Sequence, residues 1–128
     1  MHYLDTSALM KIIFAEQESR GLRQALGSNV ALVSSALLGV ESGRAALRSG
    51  STAVARARSA LDGVTLVPID DPVLRVAADL EPPLLRSLDA IHLATALTLE
   101  DELDGFYCYD TRLAEAAEAL GLRVAAPA

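Results

Sequence analysis

Four acidic residues sit where a carboxylate could do chemistry rather than merely solvate a surface. In Tyr3-Leu4-Asp5-Thr6-Ser7-Ala8-Leu9, a short strand ending near Leu4 runs into a helix starting near Ala8. One acid and two hydroxyls occupy the turn. Ligands of open α/β sheets bind beyond the carboxyl ends of the strands, so Asp5 is a candidate ligand or catalyst. The plain alternative is a helix cap, with Asp5, Thr6 or Ser7 accepting a backbone N–H. Asp110 repeats this placement, following Phe106-Tyr107-Cys108-Tyr109 and preceding a helix opened by Thr111-Arg112-Leu113.

The other two acids come from helices. For the helix holding Glu41, the spacing predicts a core face of Leu37, Val40 and Leu47, with Glu41, Arg44 and Arg48 on a neighbouring stripe. A Glu–Arg pair at this spacing is ordinary and worth only a few tenths of a kcal/mol. Gly39 and Gly43 flank it, each costing the helix about 1 kcal/mol relative to Ala, which suggests that something packs closely there. Asp89 opens a stretch that is apolar nearly all round (Leu88, Ile91, Leu93, Leu97, Leu99), the mark of a buried helix. An acid in the first turn suits the helix dipole, yet a carboxylate on a buried helix needs a partner. A metal ion would serve.

Two acids from strand ends and two from helices would repel one another and raise their pKa values unless cations lay between them. Mg²⁺ or Mn²⁺ suits such an all-oxygen site. It could orient and activate water for phosphodiester hydrolysis, with one or two metals. His92, one turn beyond Asp89, lacks further nitrogen or sulfur ligands spaced for zinc and reads as a hydrogen-bonded core histidine. The remaining acids have simpler places: Asp70 and Asp71 start a helix, Asp62 makes a turn, and Asp101, Glu102 and Asp104 lie in a solvated loop.

The elements that must carry these residues alternate. Strands are expected at His2–Leu4, Val30–Val33, Val64–Ile69 and Phe106–Tyr109, with a possible edge strand at Leu122–Ala125. Helices are expected over Ser7–Glu16, Ser19–Leu26, from caps at Ser34 and Ser35 through Arg48, over Thr52–Leu61, from the Asp70-Asp71-Pro72 start to Leu80, and over Ser87–Leu99 and Thr111–Leu120. Glu81-Pro82-Pro83 breaks the chain between two of them. This alternation predicts one α/β domain over residues 1–128, a mostly parallel sheet flanked by helices on both faces.

Composition narrows the function. The chain has 128 residues, 52% of them hydrophobic, with only two Phe, three Tyr and no Trp, so the core is aliphatic. Its net charge of −6 argues against a nonspecific DNA-coating protein but not against a nuclease whose acids hold cations. Lys11 is the only lysine among eleven basic residues. No apolar run approaches the roughly 20 residues of a membrane span, and no secretory signal is visible. The lone Cys108 fits a reducing compartment. A cytoplasmic setting is expected.

With these residues in view, the chain resembles the PIN-domain proteins, specifically the VapC-type toxins of bacterial toxin–antitoxin pairs. The likeness runs from Tyr3 to about Val124. It is carried by Leu4-Asp5-Thr6-Ser7-Ala8-Leu9, by Leu88-Asp89-Ala90-Ile91-His92-Leu93-Ala94-Thr95-Ala96, and by Tyr109-Asp110-Thr111-Arg112-Leu113 with Leu120-Gly121-Leu122. Glu41 occupies the place of the family's helical Glu. The resemblance implies a Mg²⁺- or Mn²⁺-dependent endoribonuclease acting on structured RNA such as tRNA or rRNA. It also implies homodimerisation and neutralisation by a cognate VapB-type antitoxin. Asp5, Glu41, Asp89 and Asp110 would form the acidic site, Asp5 and Asp89 holding the metal most directly and Glu41 and Asp110 acting partly through water. Ser7 and Thr111 would support the cluster by hydrogen bonding. Lys11, Arg44, Arg86 and Arg112 are candidates for RNA phosphate contacts.

One departure is Cys108, where the family often has Thr or Ser two residues before the last Asp. A thiol is a weak hydrogen-bonding group, so support for Asp110 is altered. A phosphoryl-receiver domain would want a lysine late in the chain, and a haloacid-dehalogenase-like phosphatase an Asp-x-Asp at the first strand; neither is present. The competing function is a non-catalytic RNA- or protein-binding module with structural acids.

Overall fold

The computed structural model describes residues 1–128. The chain opens with β1 (His2–Leu4), α1 (Thr6–Ile13), α2 (Ser19–Leu26) and β2 (Leu32–Ser35). It continues through α3 (Leu37–Ser49), α4 (Ser51–Asp62), β3 (Val64–Val67) and α5 (Asp71–Ala78). The last part is α6 (Ser87–Thr98), a 3₁₀ turn at Glu100–Glu102, β4 (Gly105–Tyr107), α7 (Thr111–Ala119) and β5 (Val124–Ala125). The expected elements are all present, with ends shifted by a few residues.

The strands form one sheet in the order β3-β2-β1-β4-β5, every neighbouring pair parallel. Successive side chains of a strand face opposite ways, and this splits the core in two. Leu4 and Tyr107 pack on one face with Leu9 and Ile13 of α1, Leu22 of α2, Leu38 of α3 and Ala57 of α4. Tyr3, Phe106 and Cys108 pack on the other with Leu93 and Ala96 of α6 and Leu113 and Ala117 of α7. Each fully buried leucine contributes roughly 2 kcal/mol, so both faces hold the sheet firmly.

The chain moves outward from β1 through β2 to β3, then returns to place β4 on the other side of β1. The gap between β1 and β4 is therefore the topological switch point, the position at which doubly wound sheets bind ligands. Asp5 leaves the sheet there directly after β1, and Asp110 shortly after β4. Gly50, at φ 103°, turns α3 straight into α4 through backbone that only glycine adopts without strain.

Three expectations are corrected. The buried face of α3 is Leu38, Ser42 and Ala46, while Val40 and Leu47 are each 62% exposed. Hydrophobicity picks out the larger side chains, but small ones face the neighbours, with Ser42 folding its hydroxyl back onto the Leu38 carbonyl. Nothing in the chain packs tightly on the two glycines: a Cβ at Gly39 would meet Leu66 at an ordinary 3.8 Å, and one at Gly43 would meet nothing. Ser34 and Ser35 belong to β2 rather than the next helix. Ser34 Oγ donates to the Leu4 carbonyl, and only Ser35 Oγ keeps a capping part, accepting from Leu37 N–H.

Candidate functional site

Asp5 is both a cap and more than a cap. Its Oδ1 accepts from Ala8 N–H at 2.9 Å, starting α1, and from Ser7 Oγ at 2.6 Å. Its Oδ2 is approached by Cys108 Sγ at 3.1 Å. Ser7 Oγ in turn accepts from Tyr109 N–H, tying the β1–α1 turn to the end of β4. Asp5 is only 3% exposed. Burial pushes its carboxyl above the usual range, against the opposing pull of Ser7, Ala8 N–H and Cys108.

Asp110 divides its oxygens the same way. Oδ1 caps α7 by accepting from Leu113 N–H, and Oδ2 is left to meet Arg86 Nη2 at 3.2 Å. Asp89, in the first turn of α6, meets the same guanidinium at Nε, 3.1 Å away. Arg86, with a 69% exposed side chain, thus lies between two carboxylates from different elements. An ion pair so exposed contributes little stability. Its interest is positional, because a planar cation stands where Asp89 and Asp110 converge.

Glu41 reaches the site from α3 and differs in kind. Its Oε1 accepts from Thr6 Oγ1 at 2.6 Å and lies 2.7 Å from His92 Nε2. Burial raises this carboxyl, but the His92 and Thr6 hydrogen bonds outweigh it, helped by the charge on Arg86, so the group titrates below the usual range. Thr6 adjoins Asp5 in sequence, so this pair joins the rest of the cluster through the start of α1.

Ser7 binds a site carboxylate, whereas the exposed Thr111 hydrogen-bonds to none of the four; Thr6 supplies the second hydroxyl instead. The reason is local. Asp110 already caps α7, leaving Thr111 on the outer side of the first turn. Lys11 is engaged elsewhere, paired with Glu18 at 2.8 Å and lying over the Tyr109 ring. Arg44 and Arg112 are exposed. From sequence, Thr6 reads only as an alternative cap and His92 as a core histidine, yet both bond Glu41. The available signals were that Thr6 adjoins Asp5 and that His92 lies one turn from Asp89.

The donor set is entirely oxygen, the chemistry of Mg²⁺ and Mn²⁺ sites. Asp5 is a buried acid whose ionised form lacks a salt-bridge partner, which an added cation would relieve. As the side chains lie, no three His, Cys, Asp or Glu groups converge closely enough to hold an ion. Arg86 holds Oδ2 of Asp89 and Oδ2 of Asp110, standing between the two acids where such an ion would lie. The residues therefore fit a divalent metal in chemistry, on condition that Arg86 yields its place. Beside the cluster, a cavity of about 530 Å³ lies between the Pro82–Leu85 segment and α7, with Arg86 and Arg112 among its walls.

Comparisons with known proteins agree with this architecture. Residues 2–119 match the PIN domain. The chain is 45% identical over 125 residues to Ribonuclease VapC46 of Mycobacterium tuberculosis, covering 98% of this chain and 96% of that one. Among solved structures, a toxin–antitoxin complex from Klebsiella pneumoniae superposes with a TM-score of 0.74 at 21% identity, covering 100% of this chain and 98% of the other. Mycobacterium tuberculosis VapC20, described as a sarcin–ricin loop cleaving toxin, gives a TM-score of 0.72 at 15% identity, covering 95% and 96%. These two structural likenesses speak to the fold. No helix is long and apolar enough to cross a membrane.

Proposed function

This chain belongs to the PIN domain family, alongside the VapC ribonucleases, and from that premise we propose that it is a metal-dependent endoribonuclease acting as the toxin of a toxin–antitoxin pair. The observation that carries the reading is the delivery of Asp5, Asp89 and Asp110 to the carboxyl edge of the sheet at its switch point, with Asp89 and Asp110 on one guanidinium. An all-acid cluster there has little structural purpose beyond the two helix caps, since each cap uses only one oxygen.

Asp5 and Asp89 would hold a Mg²⁺ or Mn²⁺ ion. When bound, such an ion supplies Lewis-acid polarisation of a phosphate oxygen and of water. The chain's own groups do the rest. Oε2 of Glu41, free of Thr6 and His92, and Oδ2 of Asp110, once Arg86 has yielded it, are the acceptors that would orient an attacking water. Ser7 and Cys108 hold Asp5 in place. Arg86 and Arg112, at the walls of the adjoining cavity, are suited to backbone phosphates, because a guanidinium matches phosphate geometry with two parallel donors. A structured RNA such as tRNA or rRNA, a cognate VapB-type antitoxin and a second copy of the chain are the partners this reading entails. A cytoplasmic site of action goes with it.

One observation favours a second reading. Arg86 already neutralises Asp89 and Asp110, as it would in a non-catalytic RNA- or protein-binding module. The two separate in one experiment. Purified protein is incubated with total RNA in Mg²⁺ or Mn²⁺, beside EDTA and Asp89→Asn controls. Discrete cleavage that needs both the metal and Asp89 supports the nuclease. Intact RNA in every lane, with RNA retained by the protein in a gel shift, supports the binding module.

A further inference from the structure

His92 is 1% exposed, yet both ring nitrogens are occupied. Nδ1 lies 2.8 Å from Tyr3 Oη, and Nε2 lies 2.7 Å from Glu41 Oε1 and 3.2 Å from Thr6 Oγ1. The proton positions follow from the neighbours. Glu41 titrates below the usual range and, ionised, can only accept, so the hydrogen it shares with Nε2 belongs to the ring. That leaves Nδ1 facing the Tyr3 hydroxyl, itself the acceptor of the Ser35 N–H at 3.2 Å. Nδ1 is then the acceptor, and Nε2 carries the ring hydrogen, aimed at Glu41. Thr6 Oγ1 donates to the same Glu41 oxygen at 2.6 Å. Two donors on Oε1 leave Oε2 with no protein partner.

The ring has little freedom to turn. Tyr3 is wholly buried and meets it edge-on, with centroids 5.9 Å apart and planes at 89°. The network joins β1, the amino end of β2's terminal serine, α1, α6 and α3, linking a helix of one core to a helix of the other. A glutamate side chain rotates about three bonds, and its carboxylate faces a partly exposed cluster. Something must choose one orientation, and a charge-assisted donor on a buried ring does so well.

We propose that His92 is a positioning residue for the reaction: held by Tyr3 with its hydrogen on Nε2, it acts with Thr6 to lock Glu41 Oε1 and so present Oε2 to the reacting water. The plain alternative is a core histidine that stabilises the fold and nothing more. The proposal rests on the ribonuclease reading for its catalytic part, but its geometry can be tested without RNA.

Two readouts are taken on the full chain. First, cleavage kinetics are compared for His92→Leu, His92→Gln and both in a Glu41→Gln background, with thermal melts to establish that each is folded. The expected result is a roughly ten- to hundredfold loss of kcat in His92→Leu, the usual size for losing a group that orients a functional side chain, with KM little changed. His92→Gln, which keeps an N–H near the Nε2 position, should recover most of the loss. In the Glu41→Gln background, His92→Leu should cost nothing further. Equal losses in the Leu and Gln variants, or a full loss in the Glu41→Gln background, would overturn the proposal. Second, ¹⁵N NMR of histidine-labelled wild type should show His92 as the single Nε2-protonated tautomer, with an Nε2–H signal that moves in Glu41→Gln. A mixed tautomer, or a signal indifferent to Glu41→Gln, overturns it even if a variant fails to fold. If wild type cuts no RNA while this NMR signature holds, the ribonuclease reading falls and the Glu41 anchoring stands.

Discussion

At the scale of single residues, Asp5 shows how a cap and a functional acid coexist. One oxygen starts α1; the other meets the Cys108 thiol at the end of β4; and burial makes its charge costly. Its carboxyl is raised in the folded protein, so the folded state holds that proton more tightly than the unfolded chain. Between the ordinary carboxylate range and the raised folded value, the unfolded state loses the proton first, and stability falls as pH rises. Asp5→Asn should therefore melt higher than wild type at neutral pH in EDTA, and lose that part of the pH slope. Scanning fluorimetry checks this, and added Mn²⁺ should raise the melting temperature of wild type but not of the variant. Arg86 makes the opposite case, a cation where a metal would compete. In Arg86→Ala, Mn²⁺ should bind about fivefold tighter, the effect of removing roughly 1 kcal/mol of screened repulsion, while the metal-free protein changes by less than about 1 kcal/mol. Calorimetric titration decides it; unchanged or weaker binding would mean Arg86 does not stand in the ion's way.

At the scale of elements, α3 buries its small side chains and exposes larger apolar ones. Its apolar periodicity points to Val40 and Leu47, which are exposed, because Ser42 and Ala46 are small enough to sit against the core and too weakly hydrophobic to announce it. Glu41 is nevertheless oriented inward, since Thr6 and His92 receive it from two other elements. Gly43 is now free of any packing explanation within the chain. Gly43→Ala should stabilise the protein by about 0.5–1 kcal/mol through the lower entropy of the unfolded chain, a rise of a few degrees in melting temperature. A fall instead would show that this side of α3 is covered in solution. Helices α1, α5 and α7 were legible from their caps: Asp5, Asp70 and Asp110 each accept the N–H three residues on.

At the scale of the whole molecule, the carboxyl-terminal tail closes the sheet's far edge onto α2. Tyr109 Oη donates to the Pro127 carbonyl at 2.7 Å, and the Ala128 carbonyl lies against Gly21. A methyl group at Gly21 would overlap that carbonyl. Gly21→Ala should thus displace the tail while leaving the acidic cluster in place. Amide hydrogens of Ala126 and Ala128 should exchange faster in the variant than in wild type, and equal exchange would show that this segment is already loose. The tail is remote in sequence from α2, so no local pattern could have foretold the contact.

What the sequence determined by itself is the alternation of strands and helices, a two-faced core and the four acids, because these follow from periodicity, capping chemistry and residue type. That core is mostly aliphatic but has the Tyr3–Phe106 stack at its centre. Asp5 and Asp110 were legible as strand-end acids for that reason. Only the tertiary structure decided which oxygens remain available, that Arg86 bridges Asp89 and Asp110, that Thr6 rather than Thr111 supports the cluster, and that His92 is tied to Glu41. Those are matters of which side chains meet across elements far apart in the chain. Such meetings depend on how the helices seat on the sheet, to within a fraction of a hydrogen-bond length, and residue spacing along one element carries no record of it.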